Sequence, residues 1–157
     1  ALLLTVNRIP QLYYGTEVLM NGTKQVTDGN VRKDFPGGFP GDTRSCFTTE
    51  GRTKAENDMF RWTARLLHWR QGNEVITKGK QTQFIPQNGV YVVARSYNGK
   101  NVMTVINGTS KAATMKAERY AEIIGDAQEA TNILTGHKIN ISKDVKLAPR
   151  GVMVLEF

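Results

Sequence analysis

The stretch LLLTVNRIPQLYYGTE, residues 2–17, constrains this chain more than any other. Ile9 to Tyr14 is apolar, then aromatic, and it stops at Gly15 before Thr16 and the acid Glu17. That order is expected of a buried strand that delivers polar groups to a rim. A strand buried on both faces needs covering layers and paired neighbours, and no strand-like run precedes it. The expectation is therefore a piece of a larger α/β domain. From Glu17 to about Arg52 the chain is irregular, with Gly22, Gly29, Gly37, Gly38, Gly41, Gly51, Pro36 and Pro40. A stretch of that length without regular structure is uncommon in a compact domain and usually carries function.

A helix follows. Thr53 with Glu56 three positions on fits a capping box. Met59, Trp62, Leu66 and Trp69 recur at helical spacing, Phe60 and Leu67 widen the stripe, and Gly72 is placed to end the helix as a C-cap. So wide an apolar stripe calls for a large partner surface, either the domain that follows or a second copy of the chain. A homo-oligomer is thus one expected state. From about Val75 onward the chain reads as strands. VYVVARSY and NVMTVIN flank Asn98-Gly99, the strongest short hairpin signal. Turn residues then recur at Asn107-Gly108, Gly125-Asp126, Gly136 and Pro149-Arg150-Gly151. Short strands with regular turn punctuation predict an antiparallel sandwich, with AERYAEII readable as a short helix or as an irregular strand.

Composition narrows the function classes. Of 157 residues, 39% are hydrophobic and 22% charged, the balance of a globular chain. The formal charge of +7 raises nucleic acid as a partner. However, Lys and Arg are scattered, Arg32-Lys33 is their only adjacent pair, and no aromatic residues interleave with a basic patch, so no nucleic-acid partner is expected. No apolar run approaches a membrane span, so no membrane insertion is expected. Cys46 stands alone in TRSCFTT with no His nearby, and His68 and His137 are not at metal-ligand spacing. A catalytic thiol, a metal centre and a cofactor are all unexpected on these residues.

Residues 2–20 resemble the last barrel strand of the α-amylase superfamily of glycoside hydrolases, which reads approximately Gly-Ile-Pro-x-x-Tyr-Tyr-Gly-x-Glu. Ile9-Pro10, Tyr13-Tyr14-Gly15 and Glu17 match, and Arg8 stands where the family has glycine. DGNVRKDFPGGF, residues 28–39, resembles the neopullulanase and cyclomaltodextrinase branch, where an Arg-x-x-Phe-Pro-Gly-Gly stretch follows that strand. RYAEII, ILTG, KINIS and PRGVMVLEF resemble the C-terminal β domain of the same enzymes.

The resemblance implies a mainly β chain: an antiparallel β-sandwich C-terminal domain preceded by the last strand, loop and helix of a (β/α)8 barrel. Residues 1–74 would end the catalytic barrel and 75–157 would form the β domain. Leu2 to Val6 becomes the tail of a preceding helix, and Thr53 to Gln71 the final barrel helix. The implied activity is retaining hydrolysis of α-glucosidic bonds in cyclodextrins, pullulan or maltodextrins, with an α-glucan as partner. The family's catalytic carboxylates lie upstream of its last strand, so no residue here is assigned a catalytic role, and the fragment alone is expected to be inactive. Asp28 and Arg32 match an Asp-x-x-x-Arg pattern that holds glucose in relatives. A carboxylate accepts from sugar hydroxyls and a guanidinium donates to them. A loop salt bridge is the competing reading of that pair. Tyr13, Tyr14 and Glu17 are expected to be structural. The relatives point to a periplasmic or cytoplasmic setting. The alternative function is an independent carbohydrate-binding or other binding module, with Tyr91, Tyr97 and Tyr120 as stacking residues.

Overall fold

The computed structural model describes residues 1–157. They form two compact units, one of residues 1–10 with 66–157 and one of residues 11–65.

The first unit is organised by one hairpin. β2 (Val90–Tyr97) and β3 (Lys100–Asn107) pair antiparallel from Tyr97↔Lys100 to Val90↔Asn107. Asn98 and Gly99 between them take φ of 49° and 73°. Both left-handed values belong to the two-residue turn whose twist matches the strands. β1 (Lys80–Gln83) extends the sheet beside β2, and β8 (Val152–Glu156) pairs with β3. β5 (Glu129–Asn132) and β6 (Lys138–Asn140) complete a six-stranded sheet of order β1-β2-β3-β8-β5-β6 in which every pair is antiparallel. β4 (Ala113–Met115) and β7 (Val145–Leu147) form a separate two-stranded sheet.

Alternation places Val90, Val92 and Ala94 of β2 on one face, with Met103 and Val105 of β3 and Leu155 of β8. These pack in one cluster with Met115, Leu147 and Ile141, and with Tyr120 and Ile124 from the helical turn Ala117–Tyr120 and α4 (Ala121–Ile124). Phe84 meets the Tyr120 ring edge-on, with centroids 4.8 Å apart. The mainly β, antiparallel sandwich expected from the turn pattern is what forms, and AERYAEII resolves as helical.

The opposite face of the sheet is also buried. Val93, Arg95, Val102, Thr104 and Val154 point the other way and are at most 1% exposed. Helical segments cover them. α1 (Leu2–Thr5) brings Thr5, whose hydroxyl accepts from that of Thr104 at 2.8 Å. α2 (Lys54–Gln71) ends on this side, with Leu66 fully buried and the Trp69 indole donating to Glu156 at 3.2 Å. α3 (Glu74–Lys78) packs on β2 and β3 and buries Val75 and Ile76.

Three local expectations need correction. Ile9 to Tyr14 forms no strand, Ile9 is 96% exposed, and Tyr13 and Tyr14 are exposed too. The reason is pairing. Extended backbone needs a neighbour's N–H and C=O groups, and every strand of this chain is paired in the sheets of residues 80–156. Residues 74–78, read as the start of strand structure, are helical. Asn73 caps them by accepting from the Ile76 amide at 3.2 Å, and Glu74 pairs with Lys78 one turn on. Gly72 does not take the left-handed C-cap geometry. Instead the chain turns directly into Asn73, whose amide donates to the Arg70 carbonyl.

The second unit holds the long loop and the first part of α2. The predicted capping box is present: the Thr53 amide donates to Glu56 Oε2 at 2.7 Å, and the Glu56 amide donates to Thr53 Oγ1 at 3.3 Å. Arg44 forks onto both oxygens of the same carboxylate at 2.7 and 2.9 Å, tying the loop to the helix start. That guanidinium, with the Thr53 amide, holds the Glu56 carboxyl down at about 2.

Two stability predictions follow from these contacts. A group whose folded pKa is depressed stabilises the fold above its unfolded value and loses that contribution as pH falls through the folded one. The Glu56 contribution is therefore complete above about 4.5 and is lost on descending to about 2. In urea titrations across that window, Glu56→Gln should lose stability less steeply than the parent chain, and parallel acid limbs would refute the assignment. Asn107 is 1% exposed, donates to the carbonyls of Lys111 and Ala148, and accepts from the amide and hydroxyl of Thr109. Asn107→Ala strands those partners and should cost about 2–4 kcal/mol, read as a lower urea midpoint at unchanged slope. A loss under about 1 kcal/mol would show that the network is dispensable.

Candidate functional site

The loop of residues 11–53 is shaped by side chains bonding to backbone. Gly15, at φ 83°, lets the chain reverse after the tyrosines, and its carbonyl accepts from the amides of Val18 and Met20. The turn Thr16–Val18 then buries Val18 to 1% exposure. Further on, Asp42 accepts from the amides of Gly37 and Phe39. Arg52 donates to the Cys46 carbonyl and to Asn57, and lies over the Phe60 ring at 4.0 Å. Cys46 is buried, a packed thiol. No group of His, Cys, Asp and Glu is arranged to hold a metal ion.

Tyr13 and Tyr14 stand side by side at the head of the loop, with ring centroids 4.6 Å apart and planes tilted by 36°. The Tyr14 hydroxyl donates to the Lys33 carbonyl at 2.9 Å, which pins the middle of the loop back to its start. The Tyr14 pKa is raised, first by its hydrogen bond with Tyr13, with smaller opposed effects from the charges of Asp34 and Arg32. Lys33 reaches the Asn21 carbonyl at 3.2 Å, and Asn30 accepts from the Thr23 amide at 2.7 Å. A cavity of about 260 Å³ opens among Tyr13, Tyr14, Thr16, Asn21, Asn30 and Lys33. Its lining offers hydroxyl, amide and ammonium groups beside two aromatic rings.

Asp28 and Arg32 flank the single turn Gly29–Val31, at its N-cap and C-cap positions. They are not joined by an ion pair: Asp28 lies 3.8 Å from Lys24, and that pair is exposed. Asp28 thus pairs within its own loop, with Lys24 and not with Arg32, and the Asp28 and Arg32 side chains are both exposed. Glu17 lies in the turn after Gly15 and is not among the residues that line this cavity. Sequence reasoning missed Asn21, Asn30 and Lys33. The one signal for Lys33 was its adjacency to Arg32. Asn21 and Asn30 carried none, because they meet only through the loop's own turns.

Comparison with known proteins bears on the fold. A family model, the cyclo-malto-dextrinase C-terminal domain, matches residues 81–156. A cyclomaltodextrinase of Thermoanaerobacter pseudethanolicus is 28% identical over 103 residues, covering 66% of this chain and 15% of that protein. An α-amylase from Geobacillus thermoleovorans, solved in complex with acarbose, aligns with 98% of this chain and 31% of its own at a TM-score of 0.69 and 21% identity. AmyP, solved in complex with maltose, aligns with 67% of this chain and 21% of its own at a TM-score of 0.55 and 19% identity. The chain thus spans under a third of each of these relatives. Residues 81–156 are similar to the cyclomaltodextrinase C-terminal domain family, and the chain shares the fold of the aligned region of the Geobacillus α-amylase.

Proposed function

We propose that this chain is the C-terminal part of a retaining glycoside hydrolase that cleaves α-glucosidic bonds in cyclodextrins, pullulan or maltodextrins. The observation that carries the reading is the family match at residues 81–156, preceded in the same chain by the strand motif of residues 9–17 and by Arg32-x-x-Phe35-Pro36-Gly37-Gly38. Residues 1–74 are the end of a catalytic barrel and residues 75–157 a β domain that caps it. Asp28 and Arg32 contact the glucan, the carboxylate accepting from sugar hydroxyls and the guanidinium donating to them.

Retaining hydrolysis requires two carboxyl groups about 5–5.5 Å apart across the scissile bond, one as nucleophile and one as acid and base. In a barrel enzyme such groups project from several different strands at one face. A single loop does not supply that pair, so the chemistry belongs to carboxylates outside this chain. The β domain supplies no reacting group.

Two measurements test the proposal. In a full-length enzyme carrying this region, Asp28→Ala or Arg32→Ala should lower kcat/KM on maltodextrin by roughly 10- to 100-fold, the effect of losing about 1.5–3 kcal/mol of hydrogen bonding to a charged group. Unchanged constants in both variants would remove the pair from the substrate site. The chain by itself, incubated with cyclodextrin, pullulan and maltodextrin, should generate no new reducing ends. Turnover that survives repurification would overturn the reading.

A further inference from the structure

A second polar cavity, of about 310 Å³, lies in the β unit, where the end of α2, the start of α3, the β2–β3 turn and β8 converge. Asn73, Glu74, Tyr97, Asn98, Lys100 and Glu156 supply its chemistry. Its floor is held rigidly. One oxygen of Glu156 accepts from the Asn73 amide at 2.6 Å and the other from the Trp69 indole at 3.2 Å, which fixes the carboxylate and leaves lone pairs on both oxygens. Asn73 is fixed in turn by capping α3. At the rim, the Lys100 ammonium acts on Glu74 only through its charge, without a direct ion pair or hydrogen bond. Tyr97 provides a half-buried aromatic wall, with Lys78 toward its ring at 5.9 Å.

The charges decide the ligand class. Glu74 and Glu156 are balanced by Lys78 and Lys100, so neither an anion nor a cation is favoured as a whole. Hydrogen-bond donors and acceptors nonetheless line the cavity together with one aromatic residue. Neighbouring sugar hydroxyls each donate and accept, and the C–H face of a pyranose suits an aromatic ring. A volume at the small end of ligand cavities, about 300–1,000 Å³, admits a short saccharide only.

We propose that this cavity binds a short α-glucan at a site separate from the loop of Asp28 and Arg32, with Tyr97 as the stacking wall, Glu156 and Glu74 as acceptors, and Lys100 and Asn98 at the rim. The choice of an α-glucan over another neutral sugar rests on the function proposed above. The existence and position of the site do not.

The test is a titration of the isotope-labelled chain with maltotriose, followed by amide shifts. Saturable shifts should appear at residues 73–75, 97–101 and 156–157, with a millimolar Kd. Tyr97→Ala should weaken them at least tenfold. Lys100→Met, at the exposed first position of β3, should weaken them several-fold. Shifts confined to residues 13–33, no shifts at all, or pocket shifts unaltered in both variants would overturn the site. Pocket shifts that respond to the variants while Asp28→Ala and Arg32→Ala leave full-length catalysis unchanged would uphold this site and reject the loop assignment instead.

Discussion

The β unit depends on a hairpin whose strands are buried on both faces. Val92 and Ala94 pack into the sandwich core while Val93 and Arg95, between and after them, lie under the helical cover, all at 1% exposure or less. Alternation of inward and outward residues normally leaves one face of an antiparallel sheet to water. Here it assigns each side chain to one of two buried layers. A slip of one residue would exchange those layers, sending Arg95 into a cluster of Val, Met and Leu. The Asn98-Gly99 turn, with both residues left-handed, forbids that slip. The rest of the unit then has two tasks. β4, β7, Tyr120 and Ile124 close the apolar layer, and α1, the end of α2 and α3 close the other.

How much of this was legible follows from what was local. The hairpin, the capping box and the turns at Gly125, Gly136 and Arg150 are written in adjacent residues, and the structure has them. The antiparallel sandwich followed from their spacing. Ile9 to Tyr14 was read by composition as a strand, and composition cannot supply a partner. The segment has the right residues but no paired neighbour within the chain. α3 was missed because Val75-Ile76 suits a strand, whereas Asn73 and the Glu74–Lys78 pair favour a turn of helix. Tertiary burial of Val75 and Ile76 decided between them.

The sites divide in the same way. Asp28 and Arg32 were visible because their spacing is a motif. The groups around them were not, because Tyr14, Asn21, Asn30 and Lys33 converge only once the loop has folded on its own carbonyls. The cavity at Tyr97 was less visible still. Its residues come from four places between positions 72 and 156, and none belongs to a recognisable pattern. Tyr97 was noted as one of three candidate stacking residues of the β half, but nothing in the sequence tied it to the groups around it.

Arg95 is the point where the fold runs against its own energetics. It is 1% exposed, donates through Nε and Nη2 to the carbonyl of Gly79, and leaves Nη1 without a partner. Burial pushes its pKa down, and the charge of Arg70 acts in the same direction. A guanidinium does not discharge at accessible pH, so the strain is borne as an under-solvated cation. What it secures is the junction between α3 and the sheet. Gly79 ends α3, and a Cβ there would lie 2.2 Å from the Val75 carbonyl oxygen of α3 and 3.0 Å from the Ser96 carbonyl oxygen of β2, so helix and strand meet closely at this glycine. An apolar side chain at position 95 would pack without the desolvation penalty but would leave that carbonyl unanswered. The buried charge thus costs stability while holding α3 against β2, and α3 contributes Asn73, Glu74 and Val75 to one wall of the cavity beside Tyr97. The shape of that cavity therefore depends on a side chain that never reaches it.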